Sequence, residues 1–187
     1  MAATLRESLT TGSDAYQFVY GGSYFAMTFT TTNAYKITSV KLLVYKVGTA
    51  PNLTVSIRAT AEGVPLAEAG NDLCSGTLVG DTLPTGSPYE WREVSLGDGA
   101  NLAASTKYAI VCKAASGDTS NAVKWRVDTS SPPYAGGNVC NSTNDSTWGT
   151  PAPDQDALFE TWGDDIAAAS GSFKATSAGK LIASGAL

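Results

Sequence analysis

LTVSIRAT, residues 53–60, decides the class of this chain. Leu53, Val55, Ile57 and Ala59 fall on one side of an extended backbone, and Thr54, Ser56, Arg58 and Thr60 on the other. That period of two belongs to a strand with one buried face. Its β-branched residues agree with a pleated, half-buried surface. Leu53, Val55 and Ile57 are therefore expected in the core, and Arg58 on the solvent side.

The same alternation continues on both sides of this stretch. In ITSVKLLVYKVG, residues 37–48, Val40, Leu42 and Val44 share a face, and TAPN supplies the turn that leads into residue 53. YFAMTF, residues 24–29, sets Phe25, Met27 and Phe29 against Ala26 and Thr28. WREVSL, residues 91–96, buries Val94 and Leu96 and turns Trp91 and Glu93 outward. AVKWRV, residues 122–127, places Val123, Trp125 and Val127 opposite Lys124 and Arg126, and DALFETW, residues 156–162, closes the series. TKYAIVCKA, residues 106–114, is apolar on both faces, the pattern of a central strand covered on both sides. The segments between these strands are rich in Gly, Pro, Ser, Asn and Asp. Only LAEAG and DDIAAAS read as short helices, and no repeat of 20 to 50 residues is visible. The expected fold is all-β: an antiparallel sandwich of jelly-roll type over residues 14–163, with an N-terminal arm, residues 1–13, and a C-terminal extension, residues 164–187.

Composition supports that class and narrows the partners. The chain has 187 residues, 43% hydrophobic and 16% charged, with a net charge of −5 and no His. No Lys/Arg cluster offsets the acidic balance, which argues against nucleic acid and anionic membranes as partners. No apolar run approaches the roughly 18–20 residues that span a bilayer. The opening MAATLRESLTTGSD has Arg6 and Glu7 in place of an apolar stretch, so no secretory signal peptide is visible. Cys74, Cys112 and Cys140 cannot all pair. They are expected as reduced thiols, with Cys112 in the core and a Cys74–Cys140 disulfide as the alternative.

Taken in order, the segments ITSVKLLVYKVG, TVSIRAT, LPTGSPYEWREVSL, LAASTKYAIVCKA, VKWRVDTSSPPYAGG and ALFETWG resemble jelly-roll modules similar to carbohydrate-binding domains. Such modules occur in large secreted proteins and in structural proteins of bacterial viruses. The resemblance covers residues 16–163 and bears on fold more than on activity.

Enzyme chemistry is not expected. Without His, the usual general base of Ser and Cys hydrolases and the commonest zinc ligand are missing. No nucleophile elbow or phosphate-binding loop is present. Carboxylate pairs such as Glu90 with Glu93, or Asp154 with Asp156, arise readily among 17 acidic residues.

Sugar binding needs rings for the C–H faces of the ligand and polar groups for its hydroxyls. The candidates are Trp91 beside Arg92, Tyr134 in SSPPYAGG and Trp148 in NDSTWGT; the competing reading is that Trp91 covers a sheet edge and the other two brace loops. Trp125 and Trp162 are expected in the core. Asp154 and Asp156, with Asp14, are candidate ligands for a structural calcium, the one cofactor considered.

The extension SGSFKATSAGKLIASGAL carries Phe173, Leu181, Ile182 and Leu187 among small residues, a pattern expected of an assembly tail. The combined expectation is a non-catalytic structural protein of a bacterial virus, a capsid decoration or tail-associated subunit, or a related self-assembling extracellular subunit. Its expected location is the virion surface or the extracellular space. Other virion proteins, copies of itself and a surface glycan are the expected partners. The alternative is a free carbohydrate-binding module acting in glycan adhesion.

Overall fold

The computed structural model describes residues 3–67, 70–130 and 134–166. Along the chain these form β1 (Thr4–Leu9), β2 (Ala15–Val19), β3 (Tyr24–Thr30), β4 (Tyr35–Val47), β5 (Leu53–Ala61), β6 (Val64–Pro65) and β7 (Asp72–Leu78). After a 3₁₀ turn at Gly80–Thr82 come β8 (Glu90–Leu102), β9 (Lys107–Ala114), β10 (Ala122–Asp128), β11 (Val139–Ser142), β12 (Asp156–Ala157) and β13 (Phe159–Asp165).

The strands form two antiparallel sheets that pack face to face as a β-sandwich. The first, of seven strands, is built around β4, which pairs with β8 along one edge and with β13 and then β10 along the other. β1 lies outside β13, and β2 outside β10. The second sheet has the order β11-β3-β9-β5, with β7 on β5 and β6 folded back by the Glu62-Gly63 turn.

The core lies where the period-two pattern places it. Leu53, Val55 and Ile57 from the second sheet share one buried cluster with Val40, Leu42 and Val44 from the first. Phe25, Met27, Phe29, Val94, Leu96, Val123, Trp125 and Val127 join them. Removing one such aliphatic side chain from water contributes about 2 kcal/mol.

The outer face of the second sheet is also covered, as the doubly apolar β9 predicts. Ala26, Ala109, Val111 and Cys140 form a second cluster there, and Trp148 packs on it. This corrects the placement of Arg58, whose side chain is 0% exposed. Loop 143–150 carries Asp145 over it, so the polar face of β5 is buried at Ser56 and Arg58 and exposed only at Thr54.

Residues 1–13 are not a free arm throughout. β1 is hydrogen-bonded in register with β13, Thr4 facing Gly163 and Leu9 facing Phe159, and Arg6 pairs with Asp165 at 2.8 Å. β13 itself runs to Asp165, past the boundary expected at residue 163. The helix expected at DDIAAAS is replaced at its start by this strand, and Ile166 follows it outside any helix; residues 167–170, the centre of LAEAG, and Phe173, Leu181, Ile182 and Leu187 lie outside the described residues.

The thiols are free. Cys74 pairs with Ile57 and packs on the main core, whereas Cys140 pairs with Ala26 on the other side of the same sheet, so the alternative disulfide is excluded by geometry. Burial pushes both thiols up to about 12, which makes them poor nucleophiles at neutral pH.

Candidate functional site

Because Val123, Trp125 and Val127 point into the core, β10 turns Lys124 and Arg126 to the outer face of the first sheet. The register then surrounds them with rings. Lys124 stands opposite Phe18 on β2 and Tyr45 on β4, and Arg126 opposite Tyr16. The Lys124 Nζ lies 4.1 Å from the ring centre of Tyr16, 4.8 Å from Phe18 and 5.4 Å from Tyr45. Arg126 lies 4.2 Å beneath the ring of Tyr89, and its Nε and Nη2 donate to Ser13 Oγ and Ser13 O. Each such cation–ring contact stabilises by about 0.5–1 kcal/mol, more where water is excluded.

The rings brace one another. Tyr16 meets Phe18 edge-on at 5.3 Å and Tyr45 at 5.8 Å, while Tyr45 lies 4.9 Å from Tyr89. Tyr45 is only 8% exposed; burial, with the nearby Tyr16, pushes its hydroxyl up against the opposing pull of Arg126. Tyr16 and Tyr89 remain 39% and 37% exposed. The result is a fixed aromatic surface with two cations set into it.

Trp91 borders this surface. It pairs with Leu43 on β4, and by alternation shares the outer face with Glu93, which accepts a 2.8 Å bond from Ser39 Oγ. Further along the same face, Lys41 lies 4.4 Å over Trp162, whose Nε1 donates to Glu160 at 2.8 Å. Trp162 is thus an outer-face residue and not a core one, since β13 sends Phe159 and Thr161 inward.

The other expected sugar-binding residues are dispersed. Arg92 alternates to the opposite side from Trp91 and bonds Glu90 and the Thr82 carbonyl. Tyr134 is no surface platform: its ring stands edge-on to Phe159 at 5.2 Å and packs on the core. Trp148 braces loop 143–150 against the second sheet, on the far side of the molecule from Trp91. Of the four residues, only Trp91 belongs to the aromatic face.

The carboxylates expected to hold calcium are each engaged differently. Asp14 accepts from the Thr129 backbone N–H and Oγ1, which hold its carboxyl below the usual range against slight desolvation. Asp154 is exposed. Asp156 is fully buried opposite Asp128, with Oδ2 accepting from Tyr134 N–H and Oδ1 left without a partner. Among the described residues no group of three or more His, Cys, Asp or Glu side chains is placed to hold a metal ion.

The face was only half visible in sequence. Lys124 and Arg126 were placed outward, but the rings that enclose them come from β2, β4 and the approach to β8. Tyr16, Phe18 and Tyr20 do alternate along AYQFVY, residues 15–20, and that is the local signal that was available. No protein-family model matches the chain, and no curated protein matches it in sequence.

Proposed function

We propose that this protein is a non-catalytic attachment module. In this reading it is a structural subunit on the surface of a bacterial virus, a capsid decoration or tail-associated protein, or part of a related self-assembling extracellular structure. It engages surface glycan through the outer face of its first sheet. The observation that carries the reading is the ring cluster of Tyr16, Phe18, Tyr45 and Tyr89, interlocked yet exposed at Tyr16 and Tyr89. Rings already fixed by their neighbours lose little freedom when a sugar's C–H face settles on them, and so contribute more of their contact energy to binding. The resemblance to carbohydrate-binding domains favours the same use. The virion setting follows from the other half of that resemblance.

Retention on immobilised cell-surface polysaccharides tests the glycan reading. The parent is expected to be retarded by at least one polysaccharide, and a Tyr16→Ala/Tyr89→Ala double variant to elute freely while still unfolding cooperatively, at a melting temperature lowered by the lost ring contacts. Parent protein that no polysaccharide retards would end this reading. Capsid and tail genes beside its own support the virion setting, whereas a fused glycoside hydrolase would make it a free carbohydrate-binding module.

A further inference from the structure

We infer that the glycan recognised by this face is acidic, and that Lys124 is the residue that selects its carboxylate. The inference rests on the glycan reading above and deepens it. Lys124 is half-buried among the rings of Tyr16, Phe18 and Tyr45. Among the described residues the ion pairs of the first sheet use Arg6, Lys41, Lys46 and Arg92; neither Lys124 nor Arg126 has one. Several carboxylates of the same sheet have partners of their own. Glu93 holds Ser39, Glu90 holds Arg92, Glu160 holds Trp162, and Asp128, the next outward residue of β10, holds the Ser130 backbone N–H and Oγ.

An ammonium stripped of part of its hydration and given only ring faces in return keeps an unmet demand for an anion. An acidic sugar satisfies both features of the face at once. Its ring lies over the exposed Tyr16, and its carboxylate meets the Lys124 ammonium, 4.1 Å from the centre of that ring. A neutral sugar would cover the cation and leave it unpaired. The net charge of −5 does not oppose this at contact range, because salt screens distant charge over about 8 Å at physiological ionic strength.

The test uses the full chain and a panel of polygalacturonate, alginate and hyaluronate, each beside its carboxyl-reduced neutral form. Affinity for at least one acidic polymer is expected to exceed that for its reduced form by about tenfold or more, the scale of one charged hydrogen bond. Added salt should weaken it. Lys124→Met, which keeps the stem among the rings, should remove that preference, while Lys124→Arg retains most of it; matched melting curves establish that both variants fold. If Lys124→Met misfolds, Lys124→Gln serves the same comparison. Equal binding to acidic and reduced forms overturns the acidic inference and leaves the glycan reading in place. Binding to phosphatidylserine vesicles with none to any polysaccharide overturns both.

Discussion

Arg58 and Asp145, 87 residues apart in sequence, meet as a two-pronged ion pair on the outer face of the second sheet. Arg58 Nη2 reaches Asp145 Oδ2 at 2.9 Å while Nη1 takes Oδ1, and Arg58 Nε turns to Asp72 Oδ1. Burial alone would push the Asp145 carboxyl up, but the bonds and charge of Arg58, with Lys113, outweigh it and hold it below the usual range. Together with Trp148, this pair holds loop 143–150 over β5 and β9.

Removing Asp145 leaves the buried Arg58 guanidinium with Asp72 alone. Asp145→Asn keeps the shape and tolerates the positive φ of 56° at this position, but leaves the Arg58 guanidinium short of a counter-charge. A loss of about 3 kcal/mol is expected in urea unfolding, the scale for breaking a buried pair. The Arg58→Met/Asp145→Asn double variant should lose less than the single one. Equal stability of Asp145→Asn and parent would show that the pair does not hold the loop.

Asp156 gives the stability a pH dependence of unusual sign. Desolvation, then the facing Asp128, raises its carboxyl from 3.8 to about 6 in the folded protein, against one bond from Tyr134 N–H. The folded state therefore holds the proton more tightly than the unfolded one. The neutral acid is tolerated near pH 4, and stability falls as pH rises from about 4 to about 6, where the carboxylate forms without a partner for Oδ1. At 1.36 kcal/mol per pH unit the cost reaches about 3 kcal/mol above pH 6. Asp156→Asn removes the charge, so it should match the parent near pH 4 and melt higher at pH 7. A parent and variant whose melting temperatures run parallel from pH 4 to 7 would refute this.

Gly76 on β7 lies directly against β8 of the other sheet. A Cβ built there would lie 1.9 Å from the Ser95 carbonyl oxygen on β8. That oxygen belongs to backbone and cannot rotate away, so Gly76→Ala must part β7 from β8. A loss of about 1–3 kcal/mol is expected, as for other overpacked sites. Gly22→Ala is the control, since no atom lies within 4 Å of its added Cβ, although its φ of +87° brings some strain of its own. If Gly76→Ala melts with the parent, the sheets are not in contact there.

How much of this was legible in sequence divides along the sheet faces. Inward residues such as Val40, Leu42, Val55 and Ile57 follow from local alternation, because the core asks only that they be apolar and share a side. Outward residues do not. Arg58 reads as solvated until loop 143–150, which the period of β5 cannot reveal, is laid over it. Trp162 and Tyr134 changed places for the same reason: the polarity of a ring is compatible with either layer, and only the β4–β13 register and the Phe159 contact decide between them. The rings around Lys124 come from two strands, β2 and β4, brought beside β10 by the pairings Lys124↔Phe18 and Lys124↔Tyr45, which join residues 106 and 79 positions apart in sequence. A site built by register is invisible until the register is known.

The assembly expectation can be separated from the fold by choosing the truncation point from the pairing. Ending the chain at residue 163 would remove Asp164 and Asp165, which pair with Lys36 and Tyr35, and with them the Arg6–Asp165 bridge. That would damage the first sheet at the edge where β1 joins it, and lost assembly would then say nothing about the tail. Ending it after Ile166 leaves every strand pairing of the described residues in place. Such a change should stay within about 0.5 kcal/mol, or roughly 2 °C in melting temperature. If Phe173, Leu181, Ile182 and Leu187 are the attachment elements, this truncated protein melts with the parent yet no longer assembles or is captured by its particle, while its polysaccharide binding persists. Assembly at the parent's concentration dependence would assign attachment to the sandwich itself.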